Sequence, residues 1–155
     1  MQPYVRVAVA ILSTAAAGLI GYTFVDAGAI SWYASLTKPA LTPPMWVFGF
    51  VWTLLYIAMA LALCIIWLKP STPSTQGWVR FYFLQLLFNA AWTLFFFKLH
   101  SVLVAFVDIL FLGFIVLSLI AGAYDHDRRA MNLLLPYFFW ILFAGYLTLN
   151  IWLLN

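Results

Sequence analysis

Residues 44–68 read PMWVFGFVWTLLYIAMALALCIIWL, 25 residues without one charge. A helix needs roughly 20 apolar residues to cross a bilayer, so this stretch is long enough to span. Pro44 suits a first helical turn, where its missing N–H costs nothing. Outward from it, four more apolar stretches predict spans at about 5–25, 79–98, 101–124 and 130–154. The first has Arg6 before it and Ala15–Ala17 in the position of a cleavage site, like a secretory signal. Its apolar run continues through Leu19, Ile20, Tyr22 and Phe24, so it reads as a retained span. The fifth contains Pro136, which predicts an interruption there.

Composition agrees. Of 155 residues, 67% are hydrophobic, 20% aromatic and only 7% charged. A water-soluble domain carries about 25% charged residues, so the class is an integral membrane protein, all-α, a single bundle of five helices over 1–155. The seven Lys/Arg are scattered rather than clustered, which excludes a nucleic-acid partner. They act as topology signals. Arg6, Lys69, Arg80, Arg128 and Arg129 fall on one side and Lys38 and Lys98 on the other, which favours a cytoplasmic N-terminus. Cys64 is the only cysteine and reads as a buried hydrophobe.

The connections are short except for residues 26–43, which hold Trp32, Tyr33, Lys38, Pro39 and Pro43. Ser31–Leu36 predicts a short interfacial helix capped by Ser31. Residues 69–78 read as a polar loop, Lys98–His100 as a tight turn, and Asp125–Arg129 as a solvated turn.

Polar groups inside apolar spans need partners. Gln85, Asn89 and Trp92 share one helical face, Trp52 and Tyr56 lie four apart, and Asn132, Pro136, Trp140 and Ala144 run at intervals of four. Converging, such stripes make an apolar pocket with a few hydrogen-bonding groups; otherwise the amides are interhelical glue and the indoles packing. Asp108, an intramembrane carboxylate, is either a proton or cation site or a brace between helices. Ser13, Ala17 and Gly21 form a small-residue ladder, a homodimer face or an intrachain contact. His100 and His126 fall in turns without a second ligand at metal-site spacing. No nucleophile-plus-base pair appears, so no catalytic residue and no metal are expected.

The motifs Trp32-Tyr33, Lys38-Pro39, Thr42-Pro43-Pro44, Trp46-Val-Phe-Gly49, Val51-Trp52-Thr-Leu-Leu-Tyr56, Leu87-Phe88-Asn89-Ala-Ala-Trp92, Val107-Asp108 and Leu135-Pro136-Tyr137 occur in an order that resembles the translocator protein family. That family includes bacterial tryptophan-rich sensory proteins and the mitochondrial peripheral benzodiazepine receptor. The resemblance covers nearly the whole chain. It implies a five-helix bundle, a homodimer in the lipid bilayer, and a pocket for tetrapyrroles such as protoporphyrin IX or haem, or for other drug-like or lipid ligands, with no obligatory cofactor. By resemblance Trp52, Tyr56, Asn89, Trp140 and Ala144 line the pocket with Trp32 above, and Tyr33, Pro43, Trp92 and Pro136 are further candidates. The expected setting is a bacterial cell membrane. Two departures stand out. Leu41 replaces the family's usual Trp between Lys-Pro and Pro-Pro, and no basic residue follows Tyr146, which removes the animal sterol motif. The expected role is a binding, regulatory or sensory one. A light-dependent porphyrin-degrading enzyme and a proton-coupled transporter using Asp108 are the alternatives.

Overall fold

A computed structural model describes residues 1–155. Six helices and no strands make up the chain: α1 (Pro3–Thr23), α2 (Ala27–Ser35), α3 (Met45–Trp67), α4 (Pro73–Thr93, continued by a π turn over Leu94–Lys98), α5 (Val102–His126) and α6 (Arg128–Leu154). All but α2 are long and apolar enough to cross a membrane, which makes five spans. In the bundle α5 packs along α6 and α4, α3 lies against α6, and α1 lies against α3 and α4.

Lipid tails are as apolar as leucine, so close packing and interhelical hydrogen bonds hold such a bundle together. Small residues supply the first. Ala10, Thr14, Ala17 and Gly21 form the buried face of α1, and a Cβ on Gly21 would stand 3.2 Å from the Thr93 hydroxyl. Ala17 and Gly21 of the ladder thus pack inside the chain, while Ser13 is half-buried with its hydroxyl turned to the Ala10 carbonyl. Hydrogen bonds supply the second. The Thr14 and Tyr82 hydroxyls pair at 2.8 Å between α1 and α4, and the Trp78 indole donates to the Leu119 carbonyl at 2.8 Å.

Helix ends differ from expectation where local capping outweighs composition. The loop helix begins at Ala27, not Ser31, because the Asp26 carboxylate accepts from the Ala29 N–H at 2.8 Å. Pro44 is the cap of α3 and Met45 its first residue. Helix α4 starts at Pro73 rather than Val79, because Thr72 and Thr75 form a reciprocal capping box ahead of the apolar run. The polar stretch 125–129 is almost wholly helical, and only Asp127, with extended backbone (φ −166°), separates α5 from α6. Helix α6 runs through Pro136 without interruption. Neighbouring helices tolerate the lost N–H of an intramembrane proline. At the end of α4 the Leu99 N–H reaches back five residues to Leu94, and His100 turns the chain at φ 50°.

Candidate ligand-binding cavity

A cavity of about 810 Å³ lies inside the bundle, lined by 27 residues of which 19 are hydrophobic. Helices α1, α2, α3, α4 and α6 all contribute, and α5 does not. No charged side chain lines it. Its aromatic wall is Phe48, Trp52 and Tyr56 from α3, Trp92, Phe96 and Phe97 from α4 and its π turn, Tyr22 from α1 and Tyr33 from α2. The Trp52 and Tyr56 rings lie 5.7 Å apart, and Trp92 stacks on Phe96 at 5.2 Å. Gly18 lets α3 come close to α1, since a Cβ there would meet the Tyr56 ring at 2.9 Å.

One polar corner interrupts the wall. The Tyr56 hydroxyl donates a short hydrogen bond to Asn89 Oδ1. Asn89 Nδ2 donates to the Tyr137 hydroxyl at 3.0 Å, which donates to Gln85 Oε1 at 2.8 Å. Gln85 Nε2 ends the chain on the Met59 sulfur at 3.8 Å. Asn89, Gln85 and Tyr137 are 4%, 1% and 0% exposed. Three helices are thus tied together behind the cavity.

Of the residues singled out from sequence, Trp52, Tyr56, Asn89, Ala144, Tyr33 and Trp92 line the cavity, as does Gly21. Trp32, Trp140, Pro43 and Pro136 do not. Trp32 stacks flat on His100 at 4.1 Å and meets Phe96 edge-on. Trp140 packs edge-on against Phe48 at 5.8 Å, behind the wall. Pro136 is exposed on the outer side of α6, and Pro43 is half-buried in the loop. Asp108 is 6% exposed on α5, and its Oδ2 has no hydrogen-bond partner. It stands on the one long helix that does not reach the cavity.

Sequence reasoning missed Tyr137 as a member of the polar corner, and Phe48, Leu147, Thr148 and Ile151 as lining; Gly18, which lies beside the small-residue ladder, makes the kind of close approach that such a stripe allows. Tyr137, Ile141, Ala144, Thr148 and Ile151 are all buried and spaced by 4, 3, 4 and 3. That inward stripe was available from a period of 3.6.

The loop over the cavity is fastened at several points. Lys38 Nζ donates to the carbonyls of Tyr33, Ala34 and Leu36 at 2.7, 3.2 and 2.9 Å, capping the end of α2. Lys98 pairs with Asp26 at 3.3 Å. The Asn155 side-chain amide makes two bonds to the Thr37 backbone, at 2.9 and 3.0 Å. The Asp26 carboxyl is held below its ordinary value, chiefly by the Ala29 N–H and then by Lys98.

Fold and cavity together define a multi-pass integral membrane protein, all-helical, with an uncharged, half-open aromatic cavity between its helices. Residues 9–153 match the model of the TspO/MBR family, and the chain belongs to that family. It is 39% identical over 150 residues to the tryptophan-rich protein TspO of Archaeoglobus fulgidus, covering 97% of each chain. It is 40% identical over 145 residues to the protein of the same name from Chlorobaculum tepidum, covering 90% of this chain and 89% of the relative. The human translocator protein is 33% identical over 135 residues, 86% of this chain and 80% of the relative.

Proposed function

We propose that the chain is a membrane receptor that takes up a flat, largely apolar small molecule, a tetrapyrrole such as protoporphyrin IX or haem, in a sensory or regulatory role. The observation that carries this is the cavity's make-up. It is about 810 Å³ of mainly aromatic and aliphatic wall, with a hydrogen-bonded corner at Tyr56 and Asn89, four threonines and the Trp92 indole N–H as its few polar groups. Volumes of about 300–1,000 Å³ with few, convergent polar groups are the ordinary form of small-molecule sites. Trp52 and Tyr56 offer ring faces for stacking on a macrocycle. A bacterial cell membrane, a cytoplasmic N-terminus and pairing of two copies belong to the same reading; the orientation rests on five cations at one end of the bundle against two at the other.

Protoporphyrin IX should quench tryptophan fluorescence of the purified chain saturably. Trp52→Leu should weaken its affinity about fivefold, from the roughly 1 kcal/mol that an aromatic pair contributes beyond area. Trp140→Phe, behind the wall, should leave it unchanged. Saturable binding indifferent to Trp52 would remove the cavity assignment. One observation favours the photochemical alternative: Trp52 also lies 6.1 Å from the buried Tyr137, so three oxidisable rings run in series from the wall, Tyr56 and Trp52, to the core behind it. Illumination of the complex should then give a new absorbing product, and bleaching at the protein-free rate would dispose of that reading.

A further inference from the structure

A second cavity, of about 190 Å³, opens at the end of the bundle where α1 and α4 begin and α3 finishes. Arg6, Lys69 and Arg80 line it together with Ser71, Thr75 and Gln76, and only two of its eight lining residues are hydrophobic. The three cations come from α1, from the connection after α3 and from α4. Three like charges around one small cleft repel one another unless an anion lies between them.

Of the three, Lys69 alone has one of the chain's own acids beside it. Lys69 pairs with Asp127 at 3.0 Å, and Asp127 is shared with Arg129 at 3.1 Å. Asp26 pairs with Lys98 at the opposite end, Asp108 is buried in α5, and Asp125 forms no ion pair. Arg6 and Arg80 have no acidic partner. Arg6 is nevertheless fixed in place, because its guanidinium donates to the Trp67 carbonyl in the last turn of α3 at 2.7 Å. That leaves the other guanidinium donors for a ligand. Arg80 is exposed on the first half of α4. The positive end of the α4 dipole adds to the same field.

The cleft lies at the ends of three membrane-spanning helices, and such helix ends stand near the level of lipid phosphates. Basic pockets between spans at that level suit anionic headgroups, and guanidinium groups fit phosphate oxygens two at a time. We propose that this cleft binds the phosphodiester headgroup of an anionic glycerophospholipid, gripped by Arg6 and Arg80 with Lys69 beside them. The site is separate from the aromatic cavity, and its lipid is a resident of the membrane rather than the cargo.

The test is native mass spectrometry of the full chain released from micelles carrying phosphatidylglycerol or phosphatidylcholine. The wild type should retain one phosphatidylglycerol in preference to phosphatidylcholine. Arg80→Gln should lower that retention about fivefold, the worth of one surface cation toward an anionic lipid. Arg128→Gln removes the same charge at the same end but outside the cleft, where Arg128 lies over the Tyr124 ring. It should change retention by less than about twofold, since only diffuse membrane charge is lost. Equal losses in the two variants would overturn the site in favour of general surface charge. Equal retention of the two lipids by the wild type would overturn it outright. Displacement of phosphatidylglycerol by millimolar inorganic phosphate would replace a lipid site by a free-phosphate site. An unchanged helical circular dichroism spectrum of Arg80→Gln separates lost binding from lost folding.

Discussion

Tyr137→Phe removes one hydroxyl and leaves the ring. That hydroxyl makes two interhelical bonds, accepting from Asn89 at 3.0 Å and donating to Gln85 at 2.8 Å. Interhelical hydrogen bonds in membrane proteins average about 0.6 kcal/mol and reach about 1.7, so two of them bracket the loss at about 1–3 kcal/mol. Both abandoned amide groups are buried, at 4% and 1% exposure, with no other partner within the chain. An orphaned buried group costs its full desolvation, so the expected value is about 2 kcal/mol or more. Tyr56→Phe is the control. It removes one bond and leaves Asn89 Oδ1 beside the cavity, for a cost of about 0.6 kcal/mol. The assay is equilibrium unfolding in mixed micelles with rising dodecyl sulfate, followed by circular dichroism. Adding Gln85→Leu to Tyr137→Phe removes the acceptor that the first change orphans, so the double variant should lose about 1 kcal/mol less than the sum of the singles. A loss from Tyr137→Phe no greater than that from Tyr56→Phe would mean that the Tyr137 hydroxyl does not tie α4 to α6, and so would strict additivity.

Other expectations follow from single contacts. Gly18→Ala should cost about 1–3 kcal/mol, the range for overpacking, and should weaken protoporphyrin quenching, because the new methyl meets the Tyr56 ring; unchanged stability and binding would mean the helices part freely there. The Asp26 carboxyl titrates below its ordinary value when folded, so its capping of α2 is complete above about pH 4 and is lost as pH falls through the lower, folded value. Hydrogen exchange of α2 amides should therefore quicken in acid, and Asp26→Asn should flatten that dependence. Asn155→Ala should speed exchange at Thr37 about fivefold, since a hydrogen bond contributes about 1 kcal/mol, without shifting the global unfolding transition.

The five spans were legible because each is longer than a bilayer is thick and nearly free of charge. The small loop helix was legible in place but not in its start, because Asp26 caps it from three residues before Ala29, outside the aromatic stretch that drew notice. Stripes read along α3 and α4 landed on the cavity, since Trp52 with Tyr56 and Asn89 with Trp92 lie within a turn or so of each other. The stripe on α6 drifted. Steps of four residues overshoot a turn of 3.6 by about 40° each, so Ala144 is buried, Trp140 half-buried, and Pro136 and Asn132 exposed. Trp32 was expected above the ligand, yet its ring is engaged by His100, a partner 68 positions away that no local pattern could supply.

The polar corner also has a direction. Each hydrogen bond in it runs away from the cavity: Tyr56 to Asn89, Asn89 to Tyr137, Tyr137 to Gln85, Gln85 to Met59. A thioether sulfur carries no hydrogen and can only accept. The far end therefore fixes the sense of every link, because reversal would set the Gln85 carbonyl oxygen against that sulfur. At the near end Tyr56 has already given its proton inward and keeps only lone pairs. A guest bringing an N–H or O–H lengthens the row by one member. A guest bringing an acceptor finds no free proton on Tyr56, but the Trp92 indole N–H, also in the lining, has no partner within the chain. A methionine in the core, well behind the wall, thus biases the face that this corner turns to a guest.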